Sequence, residues 1–154
     1  RQKVMAHMDQ ITIIKNLVLG ALASAFAVVS DHLGGWDVAL QVLIGFMVAD
    51  YLTGLVVAGV FKNSGKSESG ALESRAGFKG LVRKGCILVL VYLGALLDKA
   101  VGATYVRTAI CFFFVANEGL SILENIGLMG VSYPKFLRDM LQALKDKNDS
   151  PEAQ

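Results

Sequence analysis

The sequence is poor in the side chains that carry most enzyme chemistry. Among 154 residues there are two cysteines, two histidines and two prolines. Cys86 and Cys111 both lie in apolar runs, without a CxxC spacing or a histidine nearby, which favours inert buried thiols over a metal or redox centre. The chain contains no P-loop, GxSxG or HExxH motif. We therefore predict that it is not an enzyme, and we expect neither a metal nor a cofactor.

Charge is also scarce, and its distribution is uneven. Charged residues make up 18% of the chain against 54% apolar residues, and the mean hydropathy is +0.52. The charges collect in three blocks, at residues 1–15, 62–84 and 135–152. A soluble domain carries charge along every surface helix, so long apolar runs between charged blocks indicate a membrane protein. We predict an all-α polytopic membrane protein.

Four apolar runs approach the roughly 20 residues that a helix needs to cross a hydrocarbon core about 30 Å thick. They predict a transmembrane domain over residues 1–130, followed by a cytoplasmic amphipathic helix and a disordered tail over residues 134–154. The predicted spans cover residues 11–29, 36–61, 81–101 and 106–129, with a cytoplasmic basic loop at 62–80.

The first span has a competing interpretation as a secretory signal. A basic start, an apolar run and the A-x-A sequence at residues 25–27 are typical of a cleaved leader. We expect the segment to be retained as a span, with cleavage as the alternative.

The positions of lysine and arginine predict the orientation. With a cytoplasmic N-terminus and four spans, 13 of the 15 basic residues lie on the inside, and only Lys99 and Arg107 lie outside. Cytoplasmic loops of membrane proteins carry such an excess of basic residues. We therefore expect both termini in the cytoplasm.

A polar stretch at residues 63–70, which we predict to be flexible, leads into a basic segment at residues 74–84. Bases alternate there with Phe78, Leu81 and Val82, a pattern that suits contact with anionic lipid headgroups. Beside two membrane spans this pattern does not favour nucleic-acid binding. The basic residues that we assign to the membrane surface are Arg75, Lys79, Arg83 and Lys84.

Pro134 suits the first turn of a predicted helix that runs to about Lys147. Five apolar residues share one face of it: Phe136, Leu137, Met140, Leu141 and Leu144. The pattern fits a helix on the inner leaflet or against a neighbour, and equally a tail helix that docks on the bundle.

Carboxylates inside the spans carry most of the functional inference. Asp50 lies near the middle of the second span, where an aspartate costs roughly 2.5–3.5 kcal/mol. In the fourth span, five polar residues fall within a sector of roughly 120°. Together these are the residues that we predict to line a pore or to form an intramembrane polar site: Asp50, Asn117, Glu118, Ser121, Glu124 and Asn125.

The second and fourth spans run in the same direction, so Asp50 reaches a depth similar to that of Asn117 and Glu118. We hypothesise that these groups meet near the bilayer midplane, within one chain or between chains. Their polar face then lines water or hydrogen-bonds neighbouring helices together, and the sequence leaves both readings open.

These features resemble the phage-lysis and toxin-secretion holin family, which includes the holins associated with clostridial toxin export. The resemblance covers about residues 35–145. It rests on Asp50-Tyr51-Leu52-Thr53-Gly54, the Ser/Gly/Lys linker, the polar segment at residues 117–125, Gly130 and Pro134.

The resemblance implies a homo-oligomer in the bacterial inner membrane that forms a pore or lesion and leads to host cell lysis. The implied partners are further copies of the chain, membrane lipids and, functionally, an endolysin or a secreted toxin. The alternative is a small proton- or cation-conducting channel or transporter in which Asp50 and Glu118 bind the ion.

Overall fold

A computed structural model of the protein describes residues 2–62, 64–65 and 73–149. In this part of the chain every regular element is helical, which confirms the predicted all-α class. The helices are α1 (Gln2–His32), α2 (Val38–Val56), α3 (Ser74–Val101), α4 (Val106–Leu128) and α5 (Lys135–Asp149), and α2 continues into a π-helical turn at Val57–Phe61.

Four of these helices are long and apolar enough to cross a membrane, as predicted. The third begins earlier than expected, because residues 74–80, predicted as the end of a basic loop, already belong to α3. Continuing the helix pairs backbone groups that would otherwise be unsatisfied at the membrane boundary. The membrane-crossing segments are Gln10–His32, Val38–Phe61, Ser74–Val101 and Val106–Leu128.

Two other predictions fall largely on residues that lie outside the described ranges. Of the flexible stretch at 63–70, only residues 64–65 are described. In the predicted disordered tail, α5 continues to Asp149, and residues 150–154 lie outside the description.

Aspartates fix two of the helix starts. The Asp37 carboxylate caps α2 by accepting a hydrogen bond from the Leu40 amide at 3.0 Å. The Asp98 carboxylate accepts from the Val106 and Arg107 amides, each at 3.0 Å, and so ties the end of α3 to the start of α4. Both caps satisfy amides that have no partner within their own helix.

Helices α2, α3 and α4 pack into a bundle whose apolar core lies toward one end. We call this the Arg107 end, where α2 and α4 begin and α3 finishes, and the other the Lys62 end. The backbones of α3 and α4 approach closely near Gly94, because a Cβ there would lie 3.0 Å from the Arg107 Cα. The buried core comprises Leu33, Ala39, Leu40, Leu43, Met47, Ile87, Val91, Cys111 and Val115.

Helix α1 lies largely apart from this bundle. The side chains of residues 10–29 are exposed, although most of them are apolar. Near the end of α1, the Phe26 ring packs against Trp36 with centroids 4.9 Å apart, and His32 lies 6.2 Å from Tyr92. An exposed apolar helix of this length suits a lipid or protein environment rather than water.

Helix α5 folds back along α4, as in the docking interpretation of the tail. Only part of its predicted apolar stripe packs against the bundle. Leu137, Leu141 and Leu144 are half-buried, whereas Phe136 and Met140 are 63% and 57% exposed.

Candidate functional site: a charged cluster inside the bundle

Three charged side chains from three helices meet inside the bundle. The Lys84 ammonium of α3 donates to Asp50 Oδ2 of α2 at 2.9 Å and to Glu118 Oε2 of α4. Their side chains are only 13%, 11% and 7% exposed, in that order. We call these three residues the charged cluster.

The charged cluster lies at about half the depth of the membrane-crossing helices. Asp50 follows Asp37, the cap of α2, by 13 residues, and Glu118 follows Arg107 by 11. At about 1.5 Å per residue, both carboxylates lie roughly 16–20 Å along their helices. Because α2 and α4 run in the same direction, these similar distances bring the two carboxylates to one level.

An amide extends the charged cluster toward the Lys62 end. Asn125 Nδ2 donates to Asp50 Oδ1 at 3.2 Å and to the Thr53 hydroxyl at 2.9 Å. The Thr53 hydroxyl in turn donates to the Ala49 carbonyl at 2.8 Å. Asp50 therefore uses one oxygen for Lys84 and the other for Asn125, which links α2 to both of its neighbours.

The charged cluster holds one cation against two carboxylates. With all three ionised it carries a formal charge of −1, which low-dielectric surroundings tolerate only when hydrogen bonds or water compensate for it. In the described part of the chain, every buried side-chain nitrogen and oxygen has a hydrogen-bond partner. The arrangement can therefore keep ionised groups away from lipid within a single chain.

Beside the charged cluster a cleft of about 440 Å³ opens toward the Lys62 end. Asn117 and Ser121 line it together with the cluster, and Leu90 and Phe114 contribute apolar walls. A water molecule occupies about 30 Å³ in the liquid, so the cleft has room for several. Polar groups at mid-depth thus adjoin a space that water can fill.

The predicted intramembrane residues are partly brought together. Asp50, Glu118 and Asn125 share one hydrogen-bonded network, and Asn117 and Ser121 line the adjoining cleft. Glu124 is exposed, because it lies about 120° around α4 from Glu118 and so points away from the buried face of the helix.

Of the four basic residues that were assigned to the membrane surface, three are exposed and one is not. Arg75, Lys79 and Arg83 are exposed, but Lys84 points into the bundle. The reason is helical geometry: Lys84 lies three and seven residues before Ile87 and Val91, on the buried face of α3. This spacing was the available signal for Lys84 as the partner of the carboxylates, and the basic pattern around it concealed that signal.

A second polar site, at the Arg107 end, was missed by the sequence reasoning. Arg107 is 6% exposed and donates to the carbonyls of Leu33 and Gly35, the latter at 3.0 Å. It also forms a bidentate pair with Asp37, at 2.7 and 3.1 Å. We call this arrangement the Arg107 clasp, and it joins the α1–α2 turn to α4.

Two properties of the Arg107 clasp follow from its geometry. Hydrogen bonds from the Arg107 guanidinium lower the pKa of the Asp37 carboxyl below its ordinary value of 3.8. Gly34 has φ +86°, and a Cβ there would lie 2.7 Å from Arg107 Cδ. The close approach and the left-handed backbone both require glycine at this position.

Comparison with known sequences identifies the family. The sequence profile of the bacteriophage holin family matches residues 27–146, which include α2 to α4 and most of α5. The chain belongs to this family, and the resemblance seen in its sequence is confirmed. It is a membrane protein, and its family is not an enzyme family.

Several relatives have sequences of similar length. An uncharacterised protein of Clostridium perfringens is 39% identical over 118 residues, which cover 75% of this chain and 82% of the relative. An uncharacterised protein of Clostridium acetobutylicum is 35% identical over 133 residues, covering 84% of this chain and all of the relative. A probable holin of Bacillus phage phi105 is 32% identical over 111 residues, 71% of this chain and 76% of the relative. No solved structure matches the chain.

Proposed function

We propose that the protein acts as a holin that oligomerises in the bacterial inner membrane and opens a pore or lesion there. An endolysin or another secreted protein leaves through the opening, and lysis of the host cell follows. Membership of the holin family and similarity to the probable holin of phage phi105 support this role.

The charged cluster is the observation that carries the proposal. Separating Lys84 from Glu118 into lipid would leave charges near the bilayer centre, at a cost of roughly 2.5–3.5 kcal/mol for each. Separating them into water costs little, because hydration compensates for a lost ion pair. The ion pair therefore holds α3 and α4 together in lipid. Where several copies of the chain enclose water, the pair can open and the two helices can separate.

The cleft supports the same proposal, since it places Asn117 and Ser121 beside the charged cluster. In an assembly, clefts that face one another join their polar walls around a common aqueous space. We propose that the Lys62 end faces the cytoplasm, because the exposed bases Arg75, Lys79 and Arg83 lie toward it.

Replacing Glu118 with leucine tests the role of the charged cluster. Glu118→Leu leaves Lys84 paired with Asp50, one charge against one, so we expect normal insertion and accumulation in the membrane. We expect permeabilisation to be lost, because the polar surface beside the cleft is reduced, and Asn117→Leu to behave in the same way. Membrane fractionation measures insertion, and lysis of cells that coexpress an endolysin measures permeabilisation.

Glu124→Leu is the matched comparison, since it removes an exposed carboxylate from the same helix. If Glu118→Leu loses lysis and Glu124→Leu keeps it, permeabilisation depends on the charged cluster. If both variants lose lysis, permeabilisation depends on the whole polar sector of α4. Unchanged lysis in Glu118→Leu contradicts the proposal.

Release of a folded cytoplasmic marker protein separates this proposal from the channel or transporter. A lesion that passes an endolysin also passes a folded marker of similar size. A channel in which Asp50 and Glu118 bind protons or cations dissipates ion gradients and retains the marker.

A further inference from the structure

Helix α5 carries charge alongside a membrane-crossing helix. Leu141 packs on Gly119 of α4, where a Cβ would lie 2.9 Å from the Leu141 Cδ1. Gly119 precedes Leu128, the last residue of α4, by nine residues, or about 13 Å along the helix axis. The middle of α5 therefore lies well inside the thickness that α4 crosses.

The surface of α5 divides into three faces. Leu137, Leu141 and Leu144 face α4, and a second, apolar edge formed by Phe136 and Met140 is exposed. The third face is polar and exposed. Its described members are Arg138, Asp139, Gln142 and Asp146, and Gln142 Nε2 donates to Asp146 Oδ1 at 2.9 Å.

The polar face determines what surrounds α5. Asp146 lies 11 residues from the start of α5, so about 16 Å of helix separates it from the turn after α4. An exposed carboxylate at that depth cannot face acyl chains without a cost of several kcal/mol. A helix of 15 residues spans only about 22 Å, so α5 does not reach the far interface either.

We propose that α5 lines the aqueous lumen of the assembled pore, with its polar face toward water and its Phe136–Met140 edge against a second copy of the chain. This inference rests on the proposed function. The inference adds the polar face of α5 to the lumen surface, beside the α4 residues that line the cleft.

The position of the apolar edge selects a second copy as its neighbour. Phe136 lies three residues before Asp139 of the polar face and Met140 one residue after it, so lipid against this edge would bring acyl chains beside that carboxylate. A protein surface there seals the boundary between water and lipid. Repetition of one such contact around a ring encloses the water that the polar faces require.

Fluorescent labels at two positions of the full-length chain test the inference. In a Cys86→Ser, Cys111→Ala background that still releases a marker protein from liposomes, Arg138→Cys and Asp146→Cys each receive a bimane label. Iodide then quenches labels that face water, and spin-labelled lipids report their depth. We expect iodide to quench both labels, with Asp146 about 12 Å deeper than Arg138.

Two results overturn the inference while leaving the proposed function intact. Equal, shallow depths for both labels place α5 flat on the membrane surface. Quenching of the Asp146 label by acyl-chain spin labels, without iodide quenching, places the polar face in lipid. If the background protein inserts but never releases the marker, the proposed function is contradicted. The assignment of α5 to a pore lumen is then contradicted as well.

The neighbouring copy is tested by a crosslink in the same background. Met140→Cys lies on the apolar edge and Leu141→Cys lies against α4. A contact that repeats around a ring joins different surfaces of two copies, so each cysteine carries a benzophenone maleimide, which crosslinks to any protein surface beside it under ultraviolet light. We expect Met140→Cys to give covalent dimers in membranes, and Leu141→Cys to give at least several-fold fewer. Equal yields, or none at Met140, contradict a second copy at this edge.

Discussion

At the scale of single residues, Lys84 holds two carboxylates of different helices. Replacing it with methionine leaves Asp50 and Glu118 buried together without their cation. Breaking a buried pair in this way costs about 3–5 kcal/mol, so we expect Lys84→Met to unfold at lower temperature in detergent and to accumulate poorly. Arg83→Met is the matched control, because Arg83 is exposed and its loss should change the free energy of unfolding by less than about 0.5 kcal/mol.

A triple variant separates the loss of pairing from the loss of packing. Lys84→Met, Asp50→Asn and Glu118→Gln together remove all three charges while keeping similar shapes. We expect this variant to regain much of the stability that Lys84→Met loses. A triple variant as unstable as Lys84→Met would show that lysine packing, rather than charge, holds the helices.

The Arg107 clasp predicts a dependence on pH. Because the pKa of Asp37 is lowered in the fold, the clasp stabilises the protein above the ordinary value of 3.8, and this contribution is lost as pH falls through the lowered value. Asp37→Asn keeps a residue that caps helices well but removes the charge. We expect it to unfold at lower temperature than the unchanged protein at about pH 7, with the difference shrinking as the pH falls below the ordinary pKa of 3.8.

Thermal unfolding of both proteins in detergent over this range measures that difference. A gap that persists undiminished at low pH would show that Asp37 acts through its shape and not through its charge.

The charged residues of the cluster and of the Arg107 clasp differ in how far the sequence reveals them. The cost of a carboxylate in an apolar span singles out Asp50 and Glu118 from their positions in the sequence alone. Lys84 and Arg107 do not stand out, because each lies where a membrane protein ordinarily carries surface charge. Their roles depend on which face of the helix turns inward, and contacts distant in the sequence decide that.

At the scale of helices, Gly94 sets the distance between α3 and α4. A Cβ at this position would lie 3.0 Å from the Arg107 Cα and 3.3 Å from its amide nitrogen, neither of which can move independently of α4. We expect Gly94→Ala to lower the free energy of unfolding by about 1–3 kcal/mol. Equilibrium unfolding in mixed detergent micelles measures the change.

Gly85→Ala is the control on the same helix, since a Cβ there meets nothing within 4 Å. Without a clash, alanine should stabilise α3 by about 0.5–1 kcal/mol through its higher helix propensity. Similar effects of the two substitutions would contradict close packing at Gly94.

The helices themselves were largely predictable. Runs of about 20 apolar residues predict helices in a bilayer, because a helix pairs the backbone polar groups of a segment within that segment. The early start of α3 was not predicted, since residues 74–80 are basic and contain Gly77 and Gly80, which suggest a loop. For α5, periodicity showed an apolar stripe but not what covers it.

At the scale of the whole molecule, α1 differs from the other helices. The family profile begins at residue 27, near the end of α1, and most of α1 packs on no part of the described bundle. Hydropathy predicted α1 as readily as the other spans, because it reports composition alone. Whether a span joins the bundle depends on complementary surfaces, which a single sequence does not display.

The uneven placement of the core limits what one copy can transmit. Toward the Arg107 end, tightly packed aliphatic side chains such as Leu40, Leu43 and Val91 fill the space between the helices, and the Arg107 clasp closes it. The cleft at the other end is thus closed at its inner side, and the described residues leave no continuous passage through a single copy of the chain. In the pore that we propose, material crosses the membrane along seams between subunits, so the number of subunits that gather sets the width of the opening and the fold of one does not.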